Sequence, residues 1–240
     1  MNESCPWYYL FNILPPPFPF CGEMKCSLVV DPVDTYSNFV YLIIAYWTYK
    51  KQKENSYIKL KYFYTLPIMI FIGSVFFHMS FNYLSLVFDF YGIFALIFLG
   101  IQFNITRLKS IEFKTPYRIS YIFSLIYCAV MFLSYPFKLH IGIYSLPLIS
   151  YILFTEFKIK MKKNEINIKY KSFFISVALL MFGYGSMILE GKHFRIGCSG
   201  EYSEIIQLHT IWHLFSAMAM IFIFKFYEQF EVKRGSHDPL

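Results

Sequence analysis

Residues 207–217 read Gln-Leu-His-Thr-Ile-Trp-His-Leu-Phe-Ser-Ala and lie inside an otherwise apolar segment from Ile205 to Phe224. If this segment is a helix, His209 and His213 project from the same face about one turn apart, where they can ligate one metal ion. The alternative is a helix whose two histidines bond only backbone groups or water. Ionisable side chains are costly in a membrane helix and usually mark an interior polar site with a partner. A membrane setting therefore favours a site whose remaining groups lie on other segments.

The composition indicates a membrane protein. Of the 240 residues, 57% are hydrophobic and only 15% are charged, whereas about a quarter of the residues of a soluble domain are charged. The net charge of +7 does not indicate nucleic-acid binding, because the lysines fall between apolar segments. The first residues lack the basic region and the cleavage site of a signal peptide, and residues 15–19 include four prolines. We expect residues 1–35 to remain as an extramembrane segment.

Apolar segments predict an all-α, polytopic, seven-transmembrane helix bundle that forms a single domain over residues 1–240. The seven segments are 36–49, two spans within 62–106 that a turn near 80–83 joins, 119–137, 139–155, 172–189 and 205–224. Of the 22 basic residues, 18 follow odd-numbered spans. Because cytoplasmic loops carry the excess of lysine and arginine, we expect a lumenal or extracytoplasmic N-terminus and a cytoplasmic tail at residues 226–240.

The predicted topology also separates the five cysteines. Cys128 lies within the fourth span, and the other four lie on the predicted non-cytoplasmic side, where disulfides form. These four are Cys5, Cys21, Cys26 and Cys198. A bond between Cys21 and Cys198 is allowed, but the spacing does not fix the pairing, so free thiols and other pairs stay open.

Polar side chains recur in spans two and three. Ser74 and His78 are four residues apart near the outer end of span two, and Asp89 lies about two turns into span three. They fall at the same height, in the outer half of the membrane, as the two histidines of the last span. Each has an ordinary explanation when taken alone. Ser74 can bond its own helix, His78 can be interfacial, and Asp89 can pair with a histidine for packing.

Together these side chains match the composition of a catalytic zinc site. Three histidines with a fourth position open are typical of such sites, in which the metal lowers the pKa of bound water to about 7. The histidines are His78, His209 and His213. Asp89 can accept the proton of the water, and Ser74 can donate to the developing oxyanion. We therefore predict Zn²⁺ as the cofactor.

Three blocks of sequence carry a family resemblance. They are Gly73-Ser-x-x-Phe-His-Met-Ser-x-x-Tyr83 followed by Asp89, then Gln207-Leu-His-Thr-Ile-Trp-His-Leu214, and Cys21 followed by Asp31-Pro-Val-Asp-Thr-Tyr-Ser-Asn38. In their order along the chain, in which the Cys21 block comes first, the blocks resemble the alkaline ceramidase family. That family belongs to a membrane hydrolase superfamily that also contains the progestin and adipoQ receptors.

The resemblance implies a reaction and a role for each residue. His78, His209 and His213 would hold zinc, Asp89 would orient or deprotonate the water, and Ser74 would assist at the oxyanion. The reaction would be hydrolysis of ceramide, or of a related N-acyl lipid, to a sphingoid base and a free fatty acid. The substrate would enter from the surrounding membrane. That membrane would be the endoplasmic reticulum or Golgi in a eukaryote and the inner or plasma membrane in a bacterium.

The resemblance also implies a disulfide and a second metal. The disulfide would join Cys21 to Cys198. In the family, acidic and tryptophan residues around the first cysteine contribute a calcium site, and those residues are replaced here. The oxygen donors that remain for Ca²⁺ are Glu23, Asp31 and Asp34.

Two other functions stay open at the level of sequence. A heptahelical lipid receptor of the progestin and adipoQ type would keep zinc mainly for structure and would bind a lipid without turnover. A transporter or scaffold with incidental polar residues would hold no stoichiometric metal.

Overall fold

The computed structural model describes residues 3–17, 24–109, 111, 113–139, 142–162, 168–190 and 207–231. Within these ranges the chain forms nine α-helices, one 3₁₀ turn and no strand, which confirms the predicted all-α class for the described part. The helices are α1 (Tyr8–Ile13), α2 (Pro32–Ser37), α3 (Phe39–Asn55), α4 (Thr65–Ser80), α5 (Tyr83–Lys109), α6 (Pro116–Leu133), α7 (Gly142–Met161), α8 (Lys171–Glu190) and α9 (Leu208–Glu228). The 3₁₀ turn is Tyr135–Phe137.

Four helices are long and apolar enough to cross a membrane: α5, α6, α8 and α9. Helix α4 is apolar but shorter, and α3 and α7 occupy the two remaining predicted segments. The chain is thus a multi-pass membrane protein, as the composition predicts. The count of seven spans and the side on which each terminus lies stay predictions.

The predicted turn between spans two and three is present and short. Helix α4 ends at Ser80, Phe81 adopts a left-handed conformation with φ 45°, and α5 begins at Tyr83. Asn82 accepts a hydrogen bond from the backbone N–H of Ser85 (3.1 Å), and the Ser85 hydroxyl accepts one from the backbone N–H of Asn82 (3.3 Å). This reciprocal capping satisfies N–H groups that the first turn of a helix leaves without intrahelical partners. It fixes the end of α4 beside the start of α5.

The entry into the first predicted span differs from the expected boundary. Tyr36 belongs to the separate short helix α2, and the long helix α3 begins at Phe39. Asp31 caps α2 by accepting from the backbone N–H of Asp34 (3.3 Å), and proline occupies the first helical turn. Both features favour a helix start at this point. Helix α2 packs on α4 and α9.

The extended chain before α2 is attached to the end of α4. The backbone N–H groups of Val30 and Asp31 donate to the carbonyls of Met79 and His78, both at 3.1 Å. A disulfide between Cys5 and Cys26 closes the N-terminal segment on itself, and Cys128 is free and buried. Cys21 and Cys198, which the resemblance pairs, lie outside the described residues.

A buried aromatic cluster holds the C-terminal half of α9. Phe224 is fully buried, and its ring centroid lies 5.5 Å from Trp47, 5.8 Å from Tyr57 and 5.3 Å from Phe63. Edge-to-face contacts of this kind add to the free energy that burial of the rings contributes. The cluster fixes α9 against α3 and the connection between α3 and α4. The N-terminal half of α9, which carries the two histidines, therefore lies beside the other end of α4.

Candidate metal centre

Three imidazoles converge where the end of α4 meets the start of α9. The ring centroids are 4.9 Å apart for His78 and His209, 5.1 Å for His78 and His213, and 4.7 Å for His209 and His213. One ring nitrogen of each lies within 4.8 Å of the others. His78 and His213 are buried, and His209 is half-buried. Ring nitrogens in this arrangement can hold one metal ion.

Local sequence explains the position of each imidazole. His209 and His213 are one turn apart on α9, and His78 lies in the last turn of α4. The backbone N–H of His209 donates to the carboxylate of Glu190, at the end of α8. A carboxylate beside the exposed N–H groups at a helix N-terminus is favourable. The contact holds the first turn of α9 against α8.

A small residue on α8 accommodates the tryptophan that separates the two α9 histidines. A Cβ on Gly183 would lie 2.9 Å from the Trp212 ring and 3.2 Å from Cβ of Phe215. Only glycine lets α8 and α9 approach this closely. The contact limits rotation of α9 about its axis and so keeps the histidine face toward α4.

Ser74 and Asp89 lie on α4 and α5, two helices that pack against each other near His78. Ser74 is buried and lies one turn before His78, and a Cβ on the neighbouring Gly73 would lie 3.0 Å from Cα of Asp89 on α5. The Asp89 carboxylate also interacts electrostatically with His78. A hydroxyl and a carboxylate thus lie on the packed helices α4 and α5 near His78.

The two aspartates of the α2 segment also reach this site. Asp31 Oδ2 lies 3.4 Å from His78 Nδ1, and Asp34 Oδ1 accepts a hydrogen bond of 2.8 Å from the Thr210 hydroxyl. Both carboxylates are buried, and burial holds the pKa of Asp34 well above its usual value. Asp31, Asp34 and His78 each offer an atom within 4.8 Å of the others, so they form a second group able to hold a metal ion. Glu23 lies outside the described residues, and the calcium assignment stays a prediction.

One residue of the site was missed by sequence reasoning. Ser37 Oγ lies 2.6 Å from His213 Nδ1, although the two residues are 176 positions apart in the chain. A signal was present, because Asp31, Asp34 and Ser37 recur at every third position. On a helix this spacing gives one polar face. That face is directed at the histidines.

No family model, curated protein or solved structure matches the chain. The resemblance to the alkaline ceramidases therefore depends on the three quoted blocks. Function has to be argued from the chemistry of the site, since a helical bundle alone does not specify an activity.

The donor set has a defined chemical preference. Imidazole nitrogens suit zinc, copper, iron and nickel, and three of them with an open position are the ligands of a hydrolytic zinc centre. A carboxylate that is not needed as a ligand remains available for proton transfer. Together the described groups can hold a metal ion, accept a proton and orient a polar substrate group.

Proposed function

We propose that this protein is a zinc-dependent intramembrane lipid amidase that hydrolyses the N-acyl bond of ceramide to a sphingoid base and a free fatty acid. The observation that carries the proposal is the convergence of His78, His209 and His213, with Asp89 on α5, the helix that packs on α4. Three neutral nitrogen ligands with an adjacent carboxylate are the equipment of metal-assisted hydrolysis. The sequence resemblance and the membrane helices select an amide-linked lipid as the substrate class.

Bound zinc would polarise the scissile carbonyl and lower the pKa of a water molecule to about 7. Asp89 would accept the proton that a water molecule loses when its oxygen attacks the carbonyl carbon. The same carboxyl then donates the proton to the amide nitrogen as the carbon–nitrogen bond breaks, which releases an amine and a carboxylic acid. One water is consumed, and Asp89 returns to its starting protonation state.

Ser74 has a more specific role in this scheme than the sequence indicates. Its single hydroxyl proton can be donated to only one acceptor at a time, and in this scheme that acceptor is Asp89. The hydroxyl therefore orients the carboxylate before reaction. Stabilisation of the oxyanion would require the hydroxyl to turn toward the substrate.

The test is a combined measurement of metal and product. Protein purified in mild detergent should contain one zinc per chain and should release fatty acid from ceramide, as detected by mass spectrometry. Lipid binding without release would instead support the receptor function. Absence of stoichiometric metal would contradict both.

A further inference from the structure

Two polar side chains of the α2 segment contact the Nδ1 atoms of two of the three histidines. Ser37 Oγ is 2.6 Å from His213 Nδ1, and Asp31 Oδ2 is 3.4 Å from His78 Nδ1. Between them, Asp34 accepts from the hydroxyl of Thr210, the neighbour of the third histidine. The α2 segment, from its N-cap Asp31 to Ser37, thus contacts His78, His213 and the residue next to His209.

The proton arrangement around Ser37 determines which nitrogen of His213 can bind a metal. The Ser37 hydroxyl donates to the backbone carbonyl of Asp34 at 2.9 Å. A carbonyl can only accept, and a hydroxyl has one proton. When the hydroxyl donates to this carbonyl, it accepts in its 2.6 Å contact with His213, and this arrangement puts the proton on Nδ1 of that ring. The Nε2 lone pair is then available as a ligand.

Asp31 favours the same tautomer in His78, with the proton on Nδ1. Its carboxylate is buried and faces Nδ1 of the ring. A carboxylate accepts hydrogen bonds, so it favours the proton on Nδ1 and leaves Nε2 for the metal. Carboxylates behind ligand histidines also raise the basicity of the ring. The chain provides this support from a segment that precedes all the spans.

The α2 segment also contributes negative charge beside the histidine cluster. Three neutral imidazoles leave the charge of a divalent cation uncompensated in an apolar surrounding, where an isolated charge is costly. Asp31 and Asp34 are both buried beside the cluster. Among the described residues no group donates a hydrogen bond to Asp34 Oδ2. The Asp31 carboxylate, 3.4 Å from His78, is placed to balance part of the charge of a cation held by the histidines.

We infer that α2 is the outer shell of the metal centre and that Ser37 is a positioning residue that presents Nε2 of His213 to the ion. This inference depends on the metal centre of the proposed function, but it does not depend on the identity of the lipid. By the same inference, Asp31 is a positioning residue that keeps the proton of His78 on Nδ1. The segment that leads into the first long helix is thereby part of the site.

The experiment compares three variants of the full-length protein in detergent. Ser37→Ala removes the acceptor, Ser37→Thr keeps the hydroxyl, and Ser216→Ala is the matched control. Ser216 lies on α9 less than one turn after His213, and its hydroxyl bonds Tyr41 at 2.6 Å and not an imidazole. Zinc affinity is measured by competition with a chelator, and the visible absorption of the cobalt-substituted protein reports ligand geometry.

The expected results separate positioning from folding. Ser37→Ala should weaken zinc binding by about 10- to 100-fold, as loss of an outer-shell partner does, and should alter the cobalt spectrum. Ser37→Thr and Ser216→Ala should resemble the wild type. Equal affinity and an unchanged spectrum in Ser37→Ala would overturn the inference, and so would an equal loss in Ser216→Ala. A wild type that binds zinc but hydrolyses no lipid amide would contradict the proposed function and leave this inference intact.

Discussion

Gly73 of α4 lies against the backbone of Phe88 on α5, with no room for a side chain between them. A Cβ on Gly73 would lie 2.8 Å from the carbonyl carbon of Phe88 and 3.0 Å from Cα of Asp89. Both atoms belong to a helix backbone, which cannot turn aside as a side chain can. The glycine therefore sets the distance between the helix that carries His78 and the carboxylate assigned to proton transfer.

Gly73→Ala should separate α4 from α5 at the site. We expect a loss of about 1–3 kcal/mol in the free energy of unfolding, which is typical of an overpacked contact, together with a marked loss of hydrolysis. Thermal unfolding in detergent and product release measure the two effects. The matched control is Gly185→Ala on α8, where an added Cβ meets nothing within 4 Å. Equal behaviour of the two variants would show that the α4–α5 spacing does not matter.

Asp89→Asn should separate chemistry from metal binding. The amide keeps the shape of the side chain but cannot accept the proton of the water, so hydrolysis should fall by at least about 100-fold. Zinc content should stay at the wild-type level, because the predicted ligands are the three imidazoles. Metal analysis and ceramide turnover on the same preparation check both statements. A fully active Asp89→Asn variant would remove this residue from the mechanism.

Glu156→Gln should destabilise the bundle far from the metal centre. Glu156 forms a salt bridge with Arg107, and the two side chains are 2% and 7% exposed. Loss of one partner leaves a buried charge and costs about 3 kcal/mol, whereas zinc content should not change. Glu54→Gln is the control, because the Lys51–Glu54 pair is 43% and 46% exposed and exposed pairs contribute ~0–1 kcal/mol. Similar unfolding temperatures for the two variants would argue against the buried pair as a stabilising contact.

Metal removal should be reversible and selective. A chelator that strips zinc should abolish hydrolysis, and added Zn²⁺ should restore it because the ligands are imidazoles. Ca²⁺ alone should not restore it, since calcium prefers six to eight oxygen ligands. The measurement is fatty-acid release before and after each addition. Recovery with calcium alone would indicate that carboxylates of the α2 segment, and not the imidazoles, hold the catalytic metal.

The histidine cluster could be predicted because its signal is local. The spacing of His209 and His213 defines one face of a helix, and the turn after His78 brings Asp89 back at a known depth. The convergence of separate spans then followed from topology. These inferences required only helix geometry and the cost of polar groups in a membrane.

The role of α2 could not be predicted in the same way. Its polar face is visible in the sequence, but the partners of Asp31 and Ser37 lie in α4 and α9, and no periodicity identifies a contact across 176 residues. The resemblance suggested calcium for the aspartates, and the structure places them at His78 and Thr210. The pairing of the cysteines could not be predicted from the sequence for a similar reason. The bond between Cys5 and Cys26 depends on how the N-terminal segment folds back.

The most direct test of the central claim is zinc stoichiometry in the wild type and in His213→Ala, measured on the purified full-length protein alongside ceramide hydrolysis. We predict one zinc per chain and fatty-acid release for the wild type, and loss of both for the variant. Undiminished zinc and hydrolysis in His213→Ala would contradict the account, because the imidazole that α9 presents to the cluster would then be neither a ligand nor part of the reaction.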